Sequence, residues 1–312
     1  MKTKMMNRLP ITIIVFLFIT FPTQAYFRDI GVGVRPMGMG GAYTAVADDG
    51  NAAMWNSAGL AQIKKQEVML AYTALYAELE PSLYNSENDR LGYHFVSYIC
   101  PLKSGSIGFS WNAFQSYFYD ENTLCLSYGR RLIWNLYTGI NIKRTGWSVE
   151  GNEYTKLDND IPDDGVSRNG FTFDLAFLLK RGNNFSLGFS AENLLPVDVG
   201  LNTNETIPLN LRTGVAYKVN LPKKLDIKLL TLLDTTYRKR NSAMDVRIGA
   251  ESWFLHETAC LRVGLNSTSV TSGLSYCIPI SKLGIRVDYA FIYPFSIQET
   301  YGSHYVSISL RI

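Results

Sequence analysis

Residues with catalytic or metal-binding chemistry are few and widely spaced in this chain. The three histidines, His94, His256 and His304, stand apart from any serine and carboxylate arrangement that the sequence can show. The four cysteines have neither C-x-x-C spacing nor a mixed Cys/His metal pattern. They allow three disulfide pairings, which spacing cannot separate, and we interpret them as small residues that fill strand positions: Cys100, Cys125, Cys260 and Cys277. We therefore predict no enzyme activity, no catalytic residue, no metal and no cofactor.

Two other patterns suggest ion or phosphate binding, but neither has the required spacing. Six acids in one predicted loop do not follow an EF-hand pattern, so we interpret them as a solvated loop: Glu150, Glu153, Asp158, Asp160, Asp163 and Asp164. The glycine-rich run that begins at Gly38 lacks the Gly-Lys-Ser/Thr of a phosphate loop and has no βαβ context. Phosphate binding is excluded on that ground.

Composition points to a β-rich exported protein. The N-terminus begins with three cations, Lys2, Lys4 and Arg8, followed by the apolar run 11–21. Small residues at 23 and 25 then fit a cleavage site after Ala25, so residues 1–25 are predicted to be a cleaved signal peptide. Without those three cations the 30 basic residues become 27, equal to the 27 acids. A neutral body has no field that attracts nucleic acid. Aromatic residues reach 13% while charged residues are only 18%, which fits an outer-membrane barrel or a large soluble β fold.

Apolar and polar residues alternate along most of the remaining chain, as in a strand with one lipid-facing row. Apolar side chains occupy every second position in 283–293, with Gly284, Arg286 and Asp288 between them. No helix places such residues on one stripe. Fourteen strands are predicted on this pattern, at 68–75, 91–100, 105–114, 121–129, 134–146, 170–180, 184–192, 208–218, 224–237, 243–253, 258–266, 271–279, 282–293 and 303–312.

The connections between these strands differ in length according to their parity. Those after even-numbered strands are mostly short, such as 101–104 and 130–133, whereas 76–90 and 145–169 follow odd-numbered strands and are long. A barrel with periplasmic turns and extracellular loops has this parity, and the last strand alternates to the end of the sequence. The fold class is therefore predicted to be all-β: a transmembrane antiparallel β-barrel of about 14 strands.

The segment before the first strand contains the most specific motif, GMGGAYTAVADDGNAAMWNSAGLA at 38–61. It resembles the N-terminal signature of FadL-like outer-membrane proteins, and more closely their PorV/PorQ-type branch. Two positions depart from that pattern: Ser57 stands where the family commonly has proline, and the chain ends in Ile312 instead of phenylalanine.

The resemblance implies a barrel whose N-terminal segment folds inward as a hatch. It divides the chain into a signal peptide at 1–25, a hatch at 26–66 and a barrel at 67–312. The residues that match the family motif, and would form the hatch, are Gly38, Gly40, Gly41, Ala42, Asp48, Asp49, Trp55, Asn56, Ala58, Gly59 and Leu60.

Inward positions of the later strands carry both signs of charge. Neighbouring opposite charges favour cross-strand pairs over a one-sign ion filter, so we interpret them as a ladder that braces the barrel and holds the hatch: Arg212, Asp226, Lys228, Asp245, Arg247, Glu251, Arg262, Arg286 and Asp288. A possible ligand pocket in the lumen is assigned to the apolar positions judged to face inward: Val96, Tyr98, Leu178, Leu230 and Leu232. The same side chains could instead only pack the hatch against the wall.

Two functions follow from the resemblance, and the motif does not separate them. The first is passive uptake of hydrophobic small molecules through a barrel in the outer membrane of a Gram-negative-type bacterium. The second is a type IX secretion role in which the barrel binds secreted protein cargo at the cell surface, with loops 76–90 and 145–169 as the binding region. Expected partners are outer-membrane lipid and either hydrophobic small molecules or secreted proteins, without nucleic acid.

Overall fold

The computed structural model of the chain describes residues 31–77, 91–117, 119–152, 155–157, 161–202, 204–239, 242–280, 283–297 and 300–312. The predicted signal peptide, the first five residues of the predicted hatch and loop residues 78–90 lie outside the described residues. The same holds for Glu153, Asp158 and Asp160 of the acidic loop.

Fourteen antiparallel strands form one closed barrel, in which each strand pairs with its sequence neighbours and β1 pairs with β14. The predicted fold class is confirmed, and all fourteen predicted strands are present with ends that differ by a few residues. The strands are β1 (Glu67–Ala74), β2 (Gly92–Leu102), β3 (Gly105–Gln115), β4 (Tyr119–Ile133), β5 (Leu136–Val149), β6 (Val166–Arg181), β7 (Phe185–Glu192), β8 (Asn210–Val219), β9 (Lys228–Arg238), β10 (Ala243–Phe254), β11 (Ala259–Asn266), β12 (Ser269–Ile280), β13 (Leu283–Pro294) and β14 (Ser303–Arg311).

The outer face of the barrel is apolar on nearly every strand, as a surface in contact with hydrocarbon must be. Large apolar side chains on this face include Leu126 on β4, Ile142 on β5, Leu274 on β12 and Ile308 on β14, each about half exposed. The positions between them carry small and polar side chains that are buried inside, such as Ser127 and Ser275. The alternation read from the sequence therefore separates a lipid face from a lumen face.

The two ends of the barrel differ in their connections. At the end where β1 begins and β14 finishes, strands are joined by short segments such as 103–104 and 134–135; we call it the turn end. The opposite end carries the connections 75–91, 150–165, 193–209 and 295–302, and we call it the long-loop end.

Residues 31–63, called the inner segment below, are surrounded by the barrel wall. They contain two short helices, α1 (Val34–Gly38) and α2 (Ala52–Trp55), and a 3-10 helix at Ser57–Gln62. α1 packs against β11 to β14, while the 3-10 helix packs against β3 to β6. Further 3-10 turns lie at Thr155–Leu157 and Lys223–Leu225. Among the described residues, no helix has the length and apolarity that a membrane crossing requires.

Candidate functional site

Every residue of the predicted hatch motif lies within the inner segment, and all except Asp48 are buried. Asn56 holds the entry to the 3-10 helix, because its side-chain oxygen accepts from the Ala58 backbone nitrogen at 3.1 Å. Its amide nitrogen donates to the Thr44 carbonyl at 2.8 Å and to the Phe177 carbonyl of the wall at 3.1 Å. One side chain thus fixes a local turn and attaches it to β6.

Paired glycines in the wall allow the backbone of the inner segment to lie directly against the strands. Gly129 faces Gly139 across β4 and β5, and two further pairs face each other across β7/β8 and β10/β11: Gly188 with Gly214, and Gly249 with Gly264. A Cβ at Gly139 would lie 2.2 Å from the Ala58 nitrogen, and one at Gly188 would lie 2.2 Å from the Thr44 oxygen. Only glycine fits these positions while the inner segment stays in place.

Wall side chains also hydrogen-bond to the backbone of the inner segment from several directions. Asp234 on β9 accepts from the backbone nitrogens of Tyr43 and Thr44 at 2.9 and 2.7 Å. Thr271 on β12 accepts from the Gly40 nitrogen at 2.9 Å. Further contacts come from Ser186, which donates to the Ala45 carbonyl; Asn141, which donates to Ala53; and Glu67, which accepts from Gly50. Backbone groups that would lack partners in a short irregular segment are thereby satisfied by the barrel.

A buried cluster of ion pairs connects the inner segment to β10, β11 and β13. Arg35 donates two hydrogen bonds to Glu251, at 2.7 and 2.8 Å, and Glu251 also accepts from Arg262 at 2.7 Å. Arg35 also pairs with the exposed Asp48 at 2.5 Å. The buried members of the cluster are three cations and three anions: Arg35, Arg262, Arg286, Asp49, Glu251 and Asp288. Glu251 and Arg262 form one of the expected cross-strand pairs, whereas Arg286 pairs with Asp288 within β13, and Arg35 of the inner segment joins the cluster.

Asp49 is the anion that the inner segment contributes, and it is fully buried. It accepts from Arg286 at 2.9 Å, from Arg35 at 3.1 Å and from the Tyr43 hydroxyl at 2.7 Å. Burial alone would raise the pKa of Asp49, but the two guanidinium groups outweigh it and hold the pKa well below the usual range. Burial beside the ionised Asp49 raises the pKa of Tyr43 well above its usual value, so the hydroxyl remains a donor.

Trp55 lies inside the barrel and is only 2% exposed. Its indole nitrogen donates to the Val32 carbonyl at 2.8 Å, which anchors the start of the described chain. The Arg212 guanidinium lies over its ring at 4.5 Å and that of Arg247 lies at 5.7 Å. Two cations from one part of the wall, on β8 and β10 with only β9 between them, thus hold the ring through cation–π contacts.

The inner segment divides the space inside the barrel into cavities at both ends. A cavity of about 140 Å³ lies at the long-loop end beside Trp55 and Tyr93; we call it the outer chamber. A second cavity of about 130 Å³ lies across Trp55, beside Tyr76 and Arg247. A third, of about 500 Å³, opens at the turn end beside Asp48 and Leu230; we call it the vestibule.

A row of four aromatic side chains crosses the inner wall above the outer chamber. Tyr93 and Phe114 have ring centroids 5.0 Å apart, Phe114 and Tyr119 are 6.3 Å apart, and Tyr119 stacks on Trp147 at 5.9 Å. The Trp147 indole donates to the Val199 carbonyl at 2.8 Å, so the 193–209 connection covers this end of the row. An apolar solute that enters from the long-loop end meets aromatic rings first.

The structure corrects part of the predicted ligand pocket. Val96 and Tyr98 lie on the outer face, since Tyr98 is 41% exposed and Val96 pairs with the exposed Leu70. The inward row of β2 contains Phe95 and Ile99 instead. β2 is apolar on both faces because its inward row packs on the inner segment, so alternation alone does not decide which row faces the lumen.

The other three predicted pocket residues do face inward. Leu178 and Leu232 are buried against the inner segment, at 0% and 3% exposure, while Leu230 borders the vestibule. Two charges that were expected inside lie at the turn end instead: Asp226 precedes β9, and Lys228 pairs with Glu257 at the surface. Sequence reasoning also missed the glycine pairs and the aromatic row, because both depend on strand register.

Solved structures that resemble this fold include a toluene transporter and a monoaromatic hydrocarbon channel. Neither a family model nor a curated protein sequence matches the chain. The structure is similar to that of the Ralstonia pickettii toluene transporter TbuX, with a TM-score of 0.64 at 12% identity over 92% of this chain and 99% of that one. It is also similar to the CymD monoaromatic hydrocarbon channel, with 0.59 at 14% over 92% and 98%. A Pseudomonas aeruginosa FadL homologue gives 0.55 at 12% over 90% and 97%. At this identity the likeness establishes the fold.

Proposed function

We propose that the protein is an outer-membrane channel for the passive uptake of hydrophobic small molecules, entered from the long-loop end. The observation that carries this proposal is the aromatic row above a chamber that ends on the inner segment. The outer chamber also contains apolar side chains from both the inner segment and the 193–209 connection, including Met54, Trp55 and Ile207. Apolar surface facing a water-filled entrance is costly unless it meets an apolar solute.

The similar solved structures support the same class, because two of them are described as a toluene transporter and a monoaromatic hydrocarbon channel. The charges of the lumen support it in a second way. Arginines and carboxylates alternate in the cluster that includes Glu251, and this mixture of signs is not the one-sign ring of charge that selects ions.

Passage requires the inner segment to shift, since it lies between the outer chamber and the vestibule. A disulfide between the segment and the wall tests this requirement. A Cβ at Gly38 would lie 3.6 Å from the Cβ of Ala290 on β13, which is within the usual separation of about 3.5–4.5 Å for a disulfide. The double variant Gly38→Cys with Ala290→Cys therefore ties α1 to the wall under oxidising conditions.

Uptake of radiolabelled toluene is measured in intact cells with a lipopolysaccharide outer leaflet, because apolar solutes cross phospholipid bilayers without a channel. In the reduced double variant we expect toluene uptake above that of cells lacking the protein. Oxidation, which forms the disulfide, should abolish this extra uptake, and reduction of the disulfide should restore it. The matched control is Thr213→Cys with Thr235→Cys, whose hydroxyls lie 2.7 Å apart on the outer face. This second disulfide joins wall to wall and should leave uptake unchanged.

An oxidised Gly38–Ala290 pair that still transports toluene would show that the inner segment does not gate passage. Uptake that never exceeds that of cells lacking the protein would overturn the channel proposal. Purification with a bound secreted protein, together with absent uptake, would favour the PorV/PorQ-type secretion role. In that case the long loops, and not the lumen, would carry the function.

A further inference from the structure

The first three hairpin tips at the turn end carry basic residues and no acid. These tips lie at 102–105, 130–135 and 179–185. Their basic residues are Lys103, Arg130, Arg131, Lys180 and Arg181. The long-loop end differs, because its 145–169 segment has six acids but only two basic residues, Lys156 and Arg168. Positive charge is therefore concentrated at the turn end of the barrel.

Two of these cations belong to the lipid-facing rows of their strands. Arg130 stands in the same row of β4 as the exposed Leu126, and Arg181 stands in the same row of β6 as the exposed Leu179. Both arginines are exposed, and neither side chain has a hydrogen bond or an ion pair among the described residues. Their guanidinium groups are therefore available to a ligand on the outside of the barrel.

The Tyr128 side chain marks the depth of the outer row of β4. Its hydroxyl donates to the Ser104 carbonyl at 3.0 Å, so the ring reaches the turn between β2 and β3. Arg130 is the next residue of this row toward the turn end, and Arg181 is the last residue of β6. Since a strand rises only ~3.4 Å per residue, both cations stay close to the last lipid-facing side chains. Long basic side chains at such a level extend into the headgroup region of a bilayer.

The tip between β4 and β5 adds apolar side chains to the same surface. Ile133 is 64% exposed and Trp134 is 85% exposed. Arg131 donates to the Trp134 carbonyl, which ties the end of β4 to the tip. Large apolar side chains are costly in water, and tryptophan is enriched where a membrane meets water. Basic and apolar groups together match a layer of lipid headgroups better than the polar surface of an acidic soluble protein.

We propose that the outer rim of the turn end, from β4 to β6, binds anionic phospholipid headgroups in the adjacent leaflet. The guanidinium groups of Arg130 and Arg181 donate charge-assisted hydrogen bonds to phosphate oxygens, and Trp134 lies among the headgroups. Anionic lipids are favoured over zwitterionic lipids because a basic residue near the surface attracts net negative charge. This inference does not rest on the proposed function, since both arginines lie on the outer face and not in the lumen.

The test measures which lipids the intact protein retains in detergent. The tagged protein is incubated with mixed micelles that contain equal amounts of phosphatidylglycerol and phosphatidylcholine with the same acyl chains. It is then captured, and the bound lipids are quantified by mass spectrometry, with protein-free micelles on the same resin as the blank. The informative quantity is the ratio of bound phosphatidylglycerol to bound phosphatidylcholine.

The variant Arg130→Gln with Arg181→Gln removes both cations from the lipid-facing rows. We expect the ratio to fall about fivefold, the change that corresponds to one basic residue lost beside each bound headgroup. The matched control is Lys180→Gln with Lys218→Gln, which removes the same charge from the same end, but at positions that line the vestibule. It should leave the ratio unchanged, and heat-modifiable electrophoretic mobility verifies that each barrel is folded.

The native protein provides a second test that depends on no variant. Its preference for phosphatidylglycerol should be largely lost at about 1 M salt, where the Debye length is about 3 Å. Four results would each overturn the inference: no preference at low salt, a preference that survives high salt, an unchanged ratio in the arginine variant, or an equal fall in the lysine control. Capture of an acidic protein that the arginine variant releases, without a lipid preference, would assign the rim to a protein partner instead. Toluene uptake is measured separately, so each of these results leaves the channel proposal standing.

Discussion

Replacing Gly264 by alanine should displace the inner segment while leaving the barrel closed. A Cβ at this position would lie 2.1 Å from the Gly40 nitrogen and 2.2 Å from the Met39 carbonyl carbon. Both are backbone atoms that no side-chain rotation can move, so the segment must shift by about an ångström or more to reach van der Waals separation. Gly40 would then lose its hydrogen bonds with Thr271 at 2.9 Å and Asn266 at 3.2 Å.

Overpacking costs about 1–3 kcal/mol, and two hydrogen bonds contribute about 0.5–1.5 kcal/mol each. The docking of the inner segment against the wall should therefore be weakened by about 2–6 kcal/mol. Hydrogen exchange of residues 31–63, measured by mass spectrometry in micelles, reports the docking, and heat-modifiable mobility reports the barrel. Gly284→Ala on β13 is the control, since its Cβ would lie 3.7 Å from the nearest heavy atom, in ordinary contact. Equal protection in the two variants would refute the close seating of the segment on β11.

Three further predictions concern the charge cluster and the lipid face. Glu251→Leu leaves Arg35 and Arg262 short of a partner and should lower the unfolding free energy in urea by about 3–5 kcal/mol; Glu251→Gln should lose less, and equal losses would count against a charge effect. Because the folded-state pKa of Asp49 is lowered, its contribution is present above its unfolded pKa and is lost as pH falls through the lower folded value. Protease resistance of residues 31–63 should therefore persist at neutral pH and decline only in strong acid, and Asp49→Asn should remove that acid transition. Leu274→Arg, at the middle of β12 on the lipid face, should lower the free energy of unfolding by about 2–4 kcal/mol, because the charge would lie near the bilayer midplane. Val270→Arg, near the long-loop end, should lower it by only about 0–1 kcal/mol. Equal losses in refolding titrations would contradict the placement of Leu274 deeper in the membrane than Val270.

The strands were predictable because lipid imposes a strict rule on one row of every strand. Positions such as Val287 and Ile308 must be apolar regardless of what lies inside the barrel, so the alternation survives in the sequence. The alternating loop lengths also favoured a barrel. A chain that returns to the same side after every second strand has its short turns at one end and its long connections at the other.

Row assignment failed where the lumen is itself apolar. On β2, Phe95 and Ile99 are buried inside the barrel, Ile99 in the cluster that contains Leu60 of the inner segment, while Val96 and Tyr98 face lipid, so both rows carry large apolar side chains. The pairing of β2 with β1 identifies the outward row of β2. Glu67 and Met69 on β1 are buried, so Leu70 faces outward, and its partner Val96 faces outward with it. Pairing information of this kind is not contained in the local pattern of one strand.

The contacts that hold the inner segment against the wall could not be predicted from a local sequence pattern, because each of them joins distant parts of the chain. Arg35 meets Glu251 across 216 positions, and Gly40 meets Thr271 across 231. The wall glycines have no signature either, since Gly264 and Gly284 are alike in sequence but only Gly264 lies beneath the segment. The motif at 38–61 is therefore half of a complementary surface, with small residues where the backbone meets glycines and Asp49 where it meets Arg286, while Arg35, just before the motif, meets Glu251. A shift of this segment has to break several contacts together, because ion pairs, hydrogen bonds and glycine contacts with the wall alternate along its short length.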